Sequence, residues 1–381
     1  MARTIRICSG VAALALIAST SAPARTSEQS PLKNYAAGRM ADLDGASAVA
    51  AVAYADALLV LPSDGALALR AYRQAIEAGD RAIALNAART LDLQNALPAD
   101  ATLLLFTERL ARRDWSGARG ILDRLDPKVG LGFLVPVLRA WAEYGAGSGD
   151  PLATLAVPEK DSLILSYARE HTALMLIARG AFEEGQATVA ALATPDARGI
   201  ALRLAAAAQL ASKGKKPAAL DLLKGDDSAV RGARMLLEAG KPLGGAVDQP
   251  SEGVATLLAR VASDLMRDRA TPAALTLARL ASFSAPNDDM VRLVLAQALL
   301  ANGKVDGALA ALDQIKPTTI FSGALNELRI ETLQQAGRDE AALTLAKTAA
   351  SRPDASVNEQ LLLGQSYARV KRYSEAADAY E

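Results

Sequence analysis

A turn that returns every 34 residues constrains this chain more than any other feature. Steps of 34 back from Lys371 reach Gly337, Gly303 and Arg269. The same frame recurs at Gly214 and Gly180, and again at Arg113, Gly79 and Gly45. Each position closes an apolar helical stretch. Five residues beyond stand Ala376, Ala342, Ala308, Ala274, Ala219, Gly185, Ala118, Ala84 and Ala50, a small residue every time. A period of this length marks stacked supersecondary units, none of which can bury its apolar face alone.

The unit is read as two helices joined by a tight turn. Glycine at the turn supplies the left-handed backbone that ends the first helix. The small residue five places on lets the second helix approach the first closely. Around Gly303, Val291, Leu295, Leu299, Leu309 and Leu312 carry the helical apolar spacing. Pro286-Asn287-Asp288, Pro98-Ala99-Asp100 and Pro353-Asp354 break one helix and start the next, and Ser356 with Glu359 fits a capping box. Composition agrees: 51% of residues are hydrophobic but only 4% aromatic, which favours helices packed through small side chains over a β-rich core. The spacing predicts about nine or ten helix pairs and no β-sheet.

The pattern resembles the tetratricopeptide repeat (TPR). The closing unit offers Gly364, Tyr367, Ala376 and Tyr380; the opening unit offers Gly38, Ala50, Tyr54, Ala57 and Pro62. Other units are degenerate, with Tyr72 and Phe106 where a small residue would stand. The resemblance covers roughly residues 31–381. It implies an all-α fold, a right-handed α-solenoid whose first helices line a concave groove that binds a peptide or protein segment. Carried over by frame, the inward positions are Arg39, Asp42, Arg73, Thr107, Gln297, Glu327, Glu331, Gln334 and Gln365. The lysine and asparagine clamp that TPR proteins use for a C-terminal carboxylate has no match here.

Residues 1–24 read as an export signal: Arg3 and Arg6, an apolar run from Ile7 to Ala18, then Ala22-Pro23-Ala24 as the cleavage site. Cys8 precedes the apolar run, where a lipidated cysteine would follow it. Cleavage near Ala24 would place the mature chain in the bacterial periplasm or outside the cell, without a cysteine and without a transmembrane segment. Residues 25–34 form a polar lead-in, and 35–223 hold TPR-like repeats, degenerate over 128–158. An irregular connection follows at 224–250, and repeats resume over 251–381 with the last unit incomplete. The degenerate zone carries a helix at Leu131 to Tyr144, and the connection one at Ala229 to Ala239. The final unit stops before its second helix is complete, so the chain is read as a fragment of a longer repeat protein.

Candidate chemistry is sparse. The 42 basic and 42 acidic side chains cancel, which gives no electrostatic reason to expect nucleic acid or anionic lipid. A single histidine, His171, excludes two-histidine metal motifs; it reads as an ordinary packed or half-exposed residue. Ser212 and Lys215 have S-x-x-K spacing but lie in an inter-helix turn, without companion motifs. Gly130-Leu131-Gly132 and Gly214-Lys215 lack the remaining glycines of nucleotide loops. Trp115 and Trp141 read as packing anchors. No catalytic, cofactor or metal site is expected. The resulting expectation is a non-catalytic protein–protein interaction scaffold of the bacterial envelope, in an envelope or polysaccharide-export complex. The alternative is the helical arm of a peptidoglycan- or glycan-acting enzyme whose catalytic domain lies beyond Glu381.

Overall fold

The computed structural model describes residues 30–156, 164–316, 319–352 and 355–381. Residues 1–29, with the proposed export signal, and Pro353-Asp354 lie outside the described residues. Every regular element among those described is helical. The first three pairs are α1 (Pro31–Leu43) with α2 (Ser47–Val60), α3 (Gly65–Ala78) with α4 (Arg81–Leu93), and α5 (Ala99–Ala111) with α6 (Trp115–Leu122). A 3-10 turn, Gly130–Leu134, leads into α7 (Val135–Ala146) and the short α8 (Pro151–Leu155). Then come α9 (Ile164–Ala178) with α10 (Phe182–Leu192), α11 (Ala197–Ser212) with α12 (Lys216–Leu222), and α13 (Ser228–Glu238), which stands without a mate. The last four pairs are α14 (Pro250–Arg267) with α15 (Thr271–Ser284), α16 (Asp289–Ala301) with α17 (Val305–Asp313), α18 (Ser322–Gln335) with α19 (Asp339–Ala350), and α20 (Val357–Arg369) with α21 (Tyr373–Tyr380). Consecutive helices pack on one another along the chain except at α13, which rests on α11, α12 and α18. The protein is an all-α solenoid of TPR-like helix pairs.

The backbone explains the period. All nine recurring turn positions have positive φ, from 58° at Arg113 to 90° at Gly180. The turn is therefore a conformation, and glycine is only its commonest occupant. Arg113, Arg269 and Lys371 adopt it at a steric cost. The small residue five places on is buried in every unit. Gly147, 34 residues after Arg113, also has positive φ, so the frame runs on into α7 and α8. There Leu152 replaces the small residue, and α8 extends for only five residues.

Two glycines fix helix approach at opposite ends of the array. A Cβ on Gly38 would lie 2.7 Å from the Tyr54 ring, and one on Gly364 would lie 2.4 Å from the Tyr380 ring. Both pairs share one spacing, so the same close crossing of first on second helix is built twice. Capping is local: Asp64, Asp80, Asp114, Asp196, Asp227 and Asp288 accept backbone N–H groups at the starts of α3, α4, α6, α11, α13 and α16. At α20, Ser356 and Glu359 form the expected capping box.

The array turns back on itself. The stretch after α13 carries the chain so that α14 packs on α5 and α7, and α15 on α3 and α5. Gly253 allows this: a Cβ there would sit 2.1 Å from the wholly buried Trp141. At the rim, Arg279 Nη2 donates to the Glu77 carbonyl (3.1 Å), and Lys304 Nζ reaches the Glu77 carboxylate (2.9 Å). This closure corrects one inward position. Thr107 is 5% exposed and donates to the Leu104 carbonyl; it does not face a groove, because α14 and α15 lie against α5.

Candidate functional site

First helices of five units converge on a cavity of about 330 Å³. Helices α9, α11, α14, α16 and α18 supply its walls, and Gly244-Gly245 of the irregular stretch closes one side. Most of the lining is apolar, including Leu174, Leu202, Leu204, Met290, Val294 and Phe321. The helices present these residues together because of spacing: Met290, Val294 and Gln297 share one face of α16, and Ala201 and Ala205 one face of α11. The small side chains Ala201, Ala205, Ala259 and Ala324 leave the volume open.

One wall is ionic. Arg198 pairs with Glu170, lies 3.9 Å from Asp264 through Nη1, and stacks over the Tyr167 ring at 5.3 Å. Arg260 Nη2 meets Asp264 Oδ1 at 3.1 Å, and Arg267 pairs with the same oxygen. Tyr167 donates its hydroxyl to Asp264 Oδ2 at 2.6 Å. Burial raises the Glu170 carboxyl against the opposing pull of Arg198. Burial, and then the neighbouring Arg198, lowers Arg260. On the facing side burial raises Asp288, whose carboxylate caps α16. The wall is thus a self-paired lattice that ties α9, α11 and α14 together.

His171 is buried at the back of the cavity. Trp141 Nε1 donates to its Nδ1 at 3.0 Å, and burial depresses its pKa to about 3. The ring is neutral at physiological pH and serves as a packed acceptor. The Ser212 hydroxyl lies within hydrogen-bond distance of both the Gln209 carbonyl and Asp248, and Lys213 pairs with Asp248, so the S-x-x-K stretch is a structural turn. Among the described residues no group of three or more His, Cys, Asp or Glu could hold a metal ion. No described helix is long and apolar enough to cross a membrane.

The positions expected to face inward fall into two sets. Gln297 lines the cavity. Glu327, Glu331 and Gln334 continue along the α18 face that begins with the lining residue Ala324. Gln365 occupies the equivalent place on α20 and is exposed, as are Gln297 and Glu331. Among the described residues Glu327 and Glu331 carry no ion pair, whereas Arg329 between them is held by Asp313 at 3.0 Å. Gln334 donates to Ser366 Oγ (3.1 Å) and so bridges α18 to α20. The second set lies apart from the cavity. Asp42 accepts from Arg39, Tyr54 and Gln74, a network that joins α1, α2 and α3, and Arg73 is exposed on α3. Glu170, Arg198 and Arg260 escaped sequence reasoning. Their only trace is charge on otherwise apolar first helices, and no sequence period links α9 to α14 across the irregular stretch.

No protein-family model matches this chain, and no curated protein matches it. Solved structures with similar helical arrays include a chain of Naa15/Naa10 bound to HypK-THB, at 15% identity and a TM-score of 0.35. The alignment covers 93% of this chain and 64% of that one, so the chain spans less than two thirds of that relative. The P58(IPK) TPR domain aligns at 13% identity, over 90% of this chain and 98% of that one, with a TM-score of 0.28. Yeast Tom70 aligns at 13% identity, over 92% and 90%, with a TM-score of 0.29.

Proposed function

We propose that the protein is a non-catalytic interaction scaffold that holds a segment of a partner protein on its concave face. The observation that carries this reading is the mostly apolar cavity among five first helices, continuous through Gln297 with the unpaired carboxylates of Glu327 and Glu331. Concave, mostly apolar sites with a few placed polar groups are what ligands occupy. The charged groups of the ionic wall are engaged in ion pairs with one another, which suits a structural support better than a reacting centre. The basic start and short apolar run of residues 1–24 support an exported protein that works in the bacterial envelope or in a polysaccharide-export assembly.

The test is a pull-down from envelope extract with the wild type and a Glu327→Lys, Glu331→Lys double variant, after circular dichroism has shown equal helicity. Loss of one specific partner from the variant is the expected result. Equal capture of every partner by both proteins would remove the concave face as the site.

A further inference from the structure

The cavity and the carboxylates form one surface, and their order dictates what can bind across it. Gln297 and Ala324 line the cavity. Glu327 and Glu331 follow on the same face of α18, and Gln365 stands one unit further on α20. Neighbouring helix axes lie roughly 8–10 Å apart. An extended peptide advances roughly 3.3 Å per residue. A strand laid across the first helices therefore spends about three residues on each unit. Its side chains meet an apolar hole that reaches from α16 to the start of α18, two acids further along α18, and an amide over α20.

We infer that the partner segment is an extended peptide with one bulky aliphatic or aromatic side chain in the cavity and a lysine or arginine about three positions away, paired with Glu327 and Glu331. A further basic or amide residue about six positions from the anchor would meet Gln365. This inference rests on the scaffold reading above. Charge selects the occupant. An acidic peptide would set its carboxylates against Glu327 and Glu331, and a wholly apolar one would leave both uncompensated. The cavity supplies the anchor, because burying one large apolar side chain strengthens binding by roughly ten- to a hundredfold. The acids supply direction and register, and their contribution is screened by salt because the strip is open to water.

A random nonapeptide display library, selected at low salt against the purified protein, reads the preference without knowledge of the natural partner. The expected enrichment is a Leu, Met, Phe or Trp with Lys or Arg at a distance of about three. The best selected peptide is then synthesised as the probe for fluorescence anisotropy. Ala205→Trp, at a half-buried lining position, should fill the cavity and weaken the probe at least about tenfold. The Glu327→Lys, Glu331→Lys variant should also weaken it, and should gain affinity for a probe with Glu in place of Lys. An acidic or purely apolar consensus, no enrichment, or indifference to both variants would overturn the inference. Capture of a partner in the pull-down would leave the scaffold reading standing even then.

Discussion

Single residues set the spacing between helices, and the consequences are measurable. Tyr54 is wholly buried and its hydroxyl donates to Asp42, so its ring cannot withdraw from a new methyl group on Gly38. Tyr380 is 49% exposed and can swing away from Gly364. Gly38→Ala should therefore cost about 1–3 kcal/mol, and Gly364→Ala under about 1 kcal/mol, in thermal melts followed by circular dichroism. Equal losses would contradict this packing. His171 gives a second test. Its folded pKa of about 3 lies below the unfolded value near 6.5, so the unfolded chain binds the extra proton between them. Its contribution is complete above pH ~6.5 and declines as the pH falls towards ~3, by up to about 1.4 kcal/mol per pH unit. Urea unfolding at several pH values should show a shallower decline in His171→Leu than in the wild type. The glycines were legible in the sequence because each sits at a fixed offset from the turn. The environment of His171 was not, because Trp141 reaches it from another helix.

At the scale of the helix pair, nearly the whole design is legible in the chain. The turn recurs because every first helix must end in one left-handed residue, and the small residue recurs because every second helix crosses at the same distance. Arg269 adopts φ 62° and is exposed, so its side chain gains little there. Arg269→Gly should stabilise the protein by roughly 0.5–1 kcal/mol, read as a rise in urea midpoint with an unchanged slope. A lowered midpoint would show that the arginine side chain contributes contacts that outweigh the strain. The pattern blurs at α8 and α13. Leu152 there displaces the small residue, and α13 has no second helix, so packing by neighbours replaces packing within the pair.

At the scale of the molecule, the fold-back of α14 and α15 was invisible to a period that describes only neighbours. One signal did exist. Leu103 to Phe106 place apolar side chains all round one turn of α5, and a turn of that kind must be covered on every side. Gly253 is the contact that admits the cover, so Gly253→Leu should wedge α14 from Trp141. The expected result is a larger radius of gyration in small-angle scattering with helicity retained; an unchanged radius would place the closure elsewhere. Binding at the cavity beside Gln297 is the central claim. Its most direct measurement is site-specific photo-crosslinking in the native cell, with a benzoylphenylalanine at Gln297, Gln365 or the exposed Thr348 of the second helix α19. A partner should crosslink from Gln297 and Gln365 and not from Thr348. Crosslinks from Thr348 alone would contradict the concave site.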